Sequence, residues 1–499
     1  MYYVSTRGSA EKISSAEAIK RGIAPDGGLY LPSEIPALSD DCLKGLIDKD
    51  YPARAAEILS MFLSDDYTRE ELEADCSAAY AESSFLGGAA PVVKVGENLS
   101  VLELWHGPTC AFKDMALQLM PRLLSRALVK TGEKNRAFIL VATSGDTGKA
   151  ALEGYKDIDN IDIMVYYPRD GVSTVQKLQM ATQSGKNVYV CSVEGNFDDA
   201  QNGVKAIFGS DEIADRLKKE GYILSSANSI NWGRLVPQIA YYISAYCDMV
   251  KTGEVKLGEE INVTVPTGNF GNILAAYIAK GMGLPINTLV CASNKNNILT
   301  DFFKTGVYDR NRSFFTTVSP SMDILISSNL ERLLCMKCGT ERTASLMKQL
   351  KETGRYALDA ETFKNVKNGF DGGCCDEEKT FAVIKDIFGK YGYLCDTHTA
   401  VGVSCALEYM EKCDGTRKML AVSTASPYKF APAVYAAIAG KTVDELEAPE
   451  VLSALTSTEI PLPIKGIKDK EIRFDPNASI KADKMADAMF AALKEIESR

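Results

Sequence analysis

Histidine is almost missing from this chain, with only His106 and His398 among 499 residues. Structural zinc sites are built from several histidine or cysteine ligands at short spacing. Cys335 and Cys338 have the spacing of half such a site, but the only close later pair consists of two adjacent cysteines. The sequence therefore argues against a metal site, and free buried thiols explain the cysteines better.

Positive charge is not in excess either, because 56 lysines and arginines stand against 66 aspartates and glutamates, a net charge of −10. Proteins that bind nucleic acids or anionic membranes in general need a basic surface. We therefore expect neither partner, and expect any bound phosphate to be held by a local site. No apolar run approaches the length of a membrane span, and we recognise no signal segment after Met1. Together with thirteen cysteines, an odd number, this favours a reducing cytoplasm.

Strand-like and helix-like patterns alternate from about residue 96 onward, which is typical of an α/β protein with a largely parallel sheet. The clearest strand candidates are a short apolar run at 137–142 and the segments 161–167, 187–193, 261–265 and 419–423. Residues 1–95 carry acidic runs and helical spacing, and predict a separate, mostly helical N-terminal domain.

Changes in pattern suggest further boundaries. We expect a large α/β domain from residues 96–130 and 251–445, and a small α/β domain from 131–250. Residues of about 296–395 are more polar and less regular, so we treat them as an insertion, with a loop at 372–375. Residues 446–499 form a C-terminal extension whose final amphipathic helix is expected to pack on the outside.

Lys113 follows a Gly-Pro turn at the start of a predicted helix that has Thr109 as its N-cap. The apolar face of this helix comprises Phe112, Met115, Ala116, Leu119, Met120, Leu123 and Leu124. Burial and the positive end of the helix dipole both lower the pKa of a lysine placed there. An uncharged lysine can attack an aldehyde, although spacing alone favours the commoner alternative of a solvated surface lysine.

Two predicted junctions between a strand and a helix could bind an anion through their backbone amides. The segment 143–148 is not a nucleotide P-loop, because threonine occupies position 143 and Ala150 stands where serine or threonine is needed. The segment 266–272 contains Gly268 and Gly271, which allow amides to converge before a helix. A purely structural turn would need the same glycines, so both interpretations stay open.

The segment 228–234 brings amides, a hydroxyl and the guanidinium of Arg234 together within seven residues. Arginine is the side chain best shaped to hold a phosphate through paired hydrogen bonds. The asparagines of this segment could instead cap the helix that follows. The residues alone leave both possibilities.

Several segments, in the same order along the chain, resemble the longer threonine synthases. These segments are 22–32, His106–Asp114, 228–234, Gly268–Asn272 and Thr424–Phe430. The runs 320–324 and 327–332 also resemble that family, although physical reasoning gives them no role. The resemblance implies a fold-type II pyridoxal phosphate enzyme, similar to the tryptophan synthase β chain, with two α/β domains and an added, mostly helical N-terminal domain.

The resemblance also implies how the cofactor is held. It makes Lys113 the catalytic lysine that forms a Schiff base with pyridoxal 5'-phosphate. It places the hydroxyl of Thr424 at the pyridine nitrogen, with Ser423 as its rival. The cofactor phosphate would lie on a loop made of Gly268, Asn269, Phe270, Gly271 and Asn272.

For the substrate, the resemblance points to Ser144, Asp146, Thr147, Asn228, Ser229 and Arg234. Ser144 and Thr147 would hold the carboxylate, and the last three residues the phosphate. The role of Asp146 stays open near the ring oxygen of the cofactor. His398 is expected to be structural rather than catalytic.

The implied reaction is the conversion of O-phospho-L-homoserine and water to L-threonine and phosphate, by γ-elimination and β-addition. Two alternatives stay open. A related lyase could stop after elimination and release 2-oxobutyrate or act on serine or threonine, and a non-catalytic paralogue could have kept the fold. The small molecule is the expected partner, and the chain could be a monomer or a homodimer.

Overall fold

Strands and helices alternate through most of the chain in a computed structural model that describes residues 1–143, 145–170, 172–413 and 415–497. The strands are β1 (Tyr3–Ser5), β2 (Tyr30–Pro32), β3 (Val92–Lys94), β4 (Leu99–Glu103), β5 (Arg136–Ala142), β6 (Ile161–Pro168), β7 (Val188–Val193), β8 (Tyr222–Ser225), β9 (Ile261–Pro266), β10 (Ile286–Ser293), β11 (Val307–Asp309), β12 (Arg355–Ala357), β13 (Phe370–Cys374), β14 (Met419–Ser423) and β15 (Ser479–Ile480).

The α-helices are α1 (Ser15–Arg21), α2 (Asp40–Leu46), α3 (Tyr51–Leu63), α4 (Arg69–Ala79), α5 (Lys113–Leu117), α6 (Met120–Lys130), α7 (Asp146–Tyr155), α8 (Thr174–Ala181), α9 (Phe197–Phe208), α10 (Asp211–Lys219), α11 (Trp232–Lys251), α12 (Gly271–Met282), α13 (Ile298–Thr305), α14 (Leu330–Thr353), α15 (Ala360–Lys367), α16 (Glu377–Tyr391), α17 (Thr397–Lys412), α18 (Ala431–Ala439), α19 (Ala448–Thr456) and α20 (Met485–Glu497). Leaving aside residues 144, 171, 414, 498 and 499, no helix is both long and apolar enough to cross a lipid bilayer.

Two larger sheets organise the fold. One has the strand order β13-β10-β9-β14-β4-β3 and is parallel except for the edge pair β3–β4. The other has the order β15-β7-β6-β5-β8 and is entirely parallel. The predicted α/β fold with a largely parallel sheet is confirmed. Carboxyl ends of parallel strands form the edge where α/β proteins bind ligands, and β4, β5, β9 and β14 all lead into the loops discussed below.

The N-terminal segment contains the expected helices, α1 to α4, together with the short antiparallel pair β1–β2. Arg54 on α3 ties this segment to the central helix α11, where its guanidinium contacts Asp248 at 2.6 Å and Ser244 Oγ at 2.9 Å. The N-terminal segment is thus fastened to the body of the protein by a buried arginine.

Residues 296–395 are more regular than expected, since they form α13 to α16 and three strands. The loop predicted at 372–375 is wrong for Gly372 to Cys374, which lie in β13 beside β10. A Cβ atom on Gly372 would lie 3.2 Å from Cβ of Phe303, and one on Gly373 would lie 2.9 Å from Sγ of Cys405. These glycines therefore allow neighbouring side chains to pack closely against the edge strand β13, and they do not mark a turn.

The C-terminal extension contributes a strand and a helix to the second sheet and its hydrophobic core. Strand β15 adds to the edge of β7, and α20 buries Met485, Met489 and Leu493 against the second sheet. The hydroxyl of Tyr166 on β6 donates to the carbonyl of Met485 at 2.6 Å. This final helix joins α9 and α10 in a hydrophobic core that covers one face of the sheet.

Candidate active site

Lys113 is presented by a bent segment that rests on the end of β14. Cys110 has a φ of 59°, its carbonyl accepts a hydrogen bond from the Ser426 amide at 3.0 Å, and the Phe112 amide donates to the Thr424 carbonyl at 2.8 Å. Helix α5 then begins at Lys113 itself. The catalytic lysine predicted from sequence is therefore anchored to the residues that follow the last strand of the large sheet.

Thr109 is not the N-cap of this helix, so that prediction is wrong. Its amide and hydroxyl both donate to the Asp114 carboxylate, at 2.8 and 2.6 Å. The Gly-Pro turn folds Thr109 back onto the first turn of α5, so that Phe112 occupies the N-cap position without a side-chain cap. The predicted continuous helix is likewise broken between α5 and α6.

The Lys113 ammonium lies in an almost closed, charged pocket, with 9% of the residue exposed. Its Nζ is 3.1 Å from Ser321 Oγ and 3.4 Å from Asp146 Oδ2. Burial lowers the pKa of Lys113; the Asp146 carboxylate opposes this shift, while the charges of Lys429 and Arg234 add to it. The pKa of Lys113 is therefore below the ordinary lysine value, as the sequence argument expected. The neighbouring cations, which that argument did not include, contribute part of this lowering.

Asp146, predicted near the cofactor, contacts most of the polar side chains around Lys113. One carboxylate oxygen accepts from Lys429 Nζ at 3.0 Å and Gln176 Nε2 at 2.8 Å, and the other accepts from Ser321 Oγ at 3.1 Å. Burial alone would raise the pKa of Asp146, but the charges of Lys429 and Lys113 outweigh burial and hold the pKa below its ordinary value. The carboxylate is therefore ionised between two lysines.

Sequence reasoning missed Lys429, Gln176 and Ser321. Ser321 contacts Lys113 across 208 positions of sequence, and no local pattern reports a contact at that separation. Both Ser321 and Lys429 nevertheless lie in segments, 320–324 and 424–430, that resemble the family. A search for polar residues inside those segments could have found them.

His398 holds Ser321 in place rather than touching Lys113. The Ser321 amide donates to His398 Nε2 at 3.1 Å, so Nε2 must be the unprotonated nitrogen. Nδ1 then carries the proton and donates to the Asp396 carboxylate at 2.7 Å. This inferred tautomer makes His398 a neutral, buried, structural histidine, in agreement with the expectation.

The loop 267–272 has the features of an anion site. Phe270 adopts a left-handed conformation with a φ of 64° at the start of α12, a strained geometry for a residue with a side chain. A Cβ atom on Gly268 would lie 2.6 Å from the carbonyl oxygen of Ser321. Asn272 accepts hydrogen bonds from Tyr241 and Tyr242, and its buried Nδ2 has no partner among the described residues. Free amides and an unpaired donor at a helix N-terminus fit the phosphate of pyridoxal phosphate.

At the end of β14 the two candidate hydroxyls differ. Ser423 Oγ accepts a hydrogen bond from Trp105 Nε1 at 3.0 Å and lies 2.9 Å from Thr399 Oγ1. Thr424 is the next residue and is buried, and its carbonyl accepts a hydrogen bond from the amide of Phe112, the residue before Lys113. The Ser423 hydroxyl is therefore already engaged on the other face of the strand.

Arg234 is buried close enough to Lys113 for the two charges to interact. Its Nη1 donates to the Ala227 carbonyl at 2.7 Å, and it forms no ion pair with a carboxylate in the part of the chain that the structure describes. Burial lowers the pKa of Arg234 to about 10. A buried cation without a counter-ion favours binding of an anion.

The other predicted substrate residues are placed as follows. Asn228 is exposed and Ser229 half-buried in the loop before α11. The capping alternative is correct for Asn231, whose side chain accepts from the Gly233 amide at 2.8 Å. Thr147 is half-buried in the first turn of α7, and Ser144 lies outside the described residues.

Comparison with known proteins gives consistent results along the chain. Residues 2–80 match the family model of the threonine synthase N terminus, residues 89–425 match pyridoxal-phosphate dependent enzymes, and residues 399–485 match the threonine synthase C-terminal model. Threonine synthase-like 1 of Homo sapiens is 40% identical over 88% of this chain, which spans only 60% of the length of that relative.

Two further relatives match over most of their length. Threonine synthase of Pseudomonas aeruginosa is 38% identical, with 87% of this chain and 90% of the relative covered. The crystal structure of threonine synthase from Brucella melitensis, described as bound to pyridoxal phosphate, superposes with a TM-score of 0.87 at 37% identity and covers 99% of both chains. The buried lysine, the anion-binding loop and these matches agree, and the chain belongs to the threonine synthase family of pyridoxal-phosphate-dependent enzymes.

Proposed function

We propose that this protein converts O-phospho-L-homoserine and water to L-threonine and phosphate. The observation that carries the proposal is Arg234, a buried guanidinium near Lys113 that has no carboxylate partner in the described ranges. A substrate that brings its own phosphate would supply the missing negative charge. A substrate without a phosphate would leave this cation uncompensated.

Pyridoxal phosphate, the cofactor of the family, would supply an aldehyde for an amine and a ring that takes up electrons from the substrate. The amides of residues 268–272 and Nδ2 of Asn272 would hold its phosphate. The hydroxyl of Thr424 would meet the pyridine nitrogen, since the hydroxyl of Ser423 is occupied by Trp105 and Thr399. These residues therefore bind and orient the ring beside Lys113.

Lys113 is placed to carry protons. In its uncharged form, Nζ would accept a proton first from Cα and then from Cβ of the substrate, so that the electrons of the Cβ–H bond replace those that leave Cγ with the phosphate. Lys113 would then return protons to Cγ and Cα, while water adds its hydroxyl at Cβ and gives its proton to the phosphate. Asp146 and Ser321 fix the position of Nζ through the contacts at 3.4 and 3.1 Å. Lys429 keeps Asp146 ionised, so that the proton taken up by Lys113 is not lost to that carboxylate.

The substrate itself would be held at both ends. Arg234, Asn228 and Ser229 would bind its phosphate. Its carboxylate would be held by Ser144 and Thr147, of which the structure describes Thr147 in the first turn of α7. Thr143 Oγ1 already accepts from the amides of Gly145 and Gly148, at 3.0 and 2.9 Å, and so fixes the shape of this turn.

The test is to load the purified protein with cofactor, add O-phospho-L-homoserine and measure threonine, 2-oxobutyrate and phosphate. We expect threonine and phosphate in equal amounts, and a Lys113→Ala variant slowed by a factor of about 10² to 10⁴. Release of 2-oxobutyrate alone would identify a lyase that stops after elimination. A protein that binds no cofactor, or a Lys113→Ala variant with full turnover, would overturn the proposal.

A further inference from the structure

The segment Ser327–Arg332 leads into α14 and lies next to the two loops that are proposed to bind phosphate. Asn329 and Arg332 have no measurable exposure to solvent. Neither contacts Lys113, and the mechanism above uses neither. Their hydrogen bonds connect three segments that are far apart in sequence.

Asn329 bridges the two loops with one side chain. Its backbone amide and its Nδ2 both donate to the carbonyl of Asn269 at 3.0 Å, and Nδ2 also reaches the carbonyl of Ser229 at 3.2 Å. Its Oδ1 accepts a hydrogen bond from Arg332 Nη1. Because arginine can only donate, this contact fixes the orientation of the Asn329 amide.

Arg332 extends the bridge to the N-terminal segment. Its Nη2 donates to the carbonyl of Ile230 at 2.6 Å, and its Nε donates to the carbonyl of Tyr30 on β2 at 2.9 Å. Within the described residues the guanidinium forms no ion pair, because the adjacent Glu331 is paired with Arg7 at 2.8 Å. Arg332 therefore acts through backbone carbonyls rather than through a carboxylate.

These contacts determine which way the loop amides face. In a trans peptide unit the C=O and the following N–H point in opposite directions. When Asn329 holds the carbonyls of Asn269 and Ser229, the amides of Phe270 and Ile230 are turned to the other side, toward the proposed phosphates. One asparagine thus orients a donor in each loop.

We propose that Asn329 and Arg332 are positioning residues that set the distance between loop 268–272 and loop 228–234, so that the cofactor phosphate and the substrate phosphate bind at the same time. This inference rests on the proposed function, which assigns one phosphate to each loop. It also gives the segment 327–332 a role. Tyr30 couples the N-terminal segment to the same bridge.

The test compares Asn329→Ala and Arg332→Met with Arg54→Met. Arg54 is the control, since it is buried, donates to the carbonyls of Leu46 and Ile47 at 2.8 and 2.6 Å, and also ties the N-terminal segment to the body. Unlike Arg332 it also pairs with Asp248, so its loss should cost at least as much stability. Three quantities are measured: the thermal midpoint, the Kd of pyridoxal phosphate for the cofactor-free protein, and the Kd of inorganic phosphate for the holoenzyme.

We expect all three variants to lose thermal stability, but only Asn329→Ala and Arg332→Met to raise both dissociation constants, each by about tenfold or more, the effect of one charged hydrogen bond. Should Arg332→Met fail to fold, Asn329→Ala decides. Dissociation constants within about threefold of those of Arg54→Met would overturn the proposal. A wild-type holoenzyme that binds phosphate but forms no threonine would count against the proposed function alone, since the binding comparison still holds.

Discussion

Lys429 Nζ lies 3.0 Å from Asp146 Oδ1, and the lysine side chain is completely buried. Lys113 reaches the other oxygen of the same carboxylate at 3.4 Å. One buried aspartate therefore faces two buried lysines, and it cannot fully compensate both. The Lys429–Asp146 contact is the shorter of the two, so Asp146 compensates the charge of Lys113 only in part, and the pKa of Lys113 stays below its ordinary value.

Lys429→Met should move the pH dependence of turnover. Burial lowers the pKa of Lys113, and the charge of Lys429 lowers it further, so removing that charge raises the pKa of Lys113. The uncharged lysine then becomes abundant only at higher pH. We expect the acidic side of the kcat profile to shift upward by about one pH unit. Lys149→Met, at a partly buried lysine paired with Glu153 at 2.9 Å, is the control, and a profile of Lys429→Met that matches it would contradict this prediction.

Gly268→Ala should weaken cofactor binding. The added Cβ atom would lie 2.6 Å from the Ser321 carbonyl, so the loop or the Ser321 segment must shift. We expect the Kd of pyridoxal phosphate to rise by about tenfold or more, for a strain of roughly 1–3 kcal/mol. Gly389→Ala in α16 is the matched control, since a Cβ atom there meets no neighbour within 4 Å. Equal cofactor affinities for the two variants would refute the expected clash.

Arg234→Met should separate stability from substrate affinity. The buried guanidinium has no carboxylate partner in the described part of the chain, so an apolar side chain of similar length should leave the thermal midpoint unchanged or raise it. The KM for O-phospho-L-homoserine should rise by about ten- to a hundredfold, because a charged hydrogen bond to the phosphate is lost. Scanning calorimetry and steady-state kinetics measure the two effects. A lower thermal midpoint with an unchanged KM would show that Arg234 is structural.

Thr424→Val should change the spectrum of the bound cofactor, whereas Ser423→Ala should lower the stability of the fold. Loss of the Thr424 hydroxyl is expected to change the visible absorbance of the bound cofactor, with little effect on stability. Loss of the Ser423 hydroxyl removes the partner of Trp105 and Thr399, and should cost about 1–3 kcal/mol of unfolding free energy while sparing the spectrum. The opposite assignment would follow if only Ser423→Ala altered the spectrum.

The sequence predicted the strands at 137–142, 261–265 and 419–423 well, because each is a short run rich in apolar and β-branched residues. It failed at Gly372 to Cys374, since glycine indicates a turn and the sequence does not reveal that two helices press on that strand. In the site, the burial of Lys113 could be predicted from the helical spacing around it, whereas its catalytic role was predicted from the family resemblance. Ser321 and Lys429 could not, because their positions beside Asp146 depend on how distant loops meet across the sheets.

Strand β15 belongs to the second sheet but is synthesised long after the other strands of that sheet. Ser479 pairs with Ser192, and their hydroxyls lie 2.8 Å apart although 287 positions separate them in sequence. During translation, β5 to β8 leave the ribosome long before β15, which pairs with the edge strand β7, and before α20, which adds to the core on one face. We expect the nascent second sheet to need chaperone protection until the final helix emerges. A fusion partner that prevents the last fifteen or so residues from packing on the sheet should then lower the yield of folded protein more than a partner fused to the N-terminus.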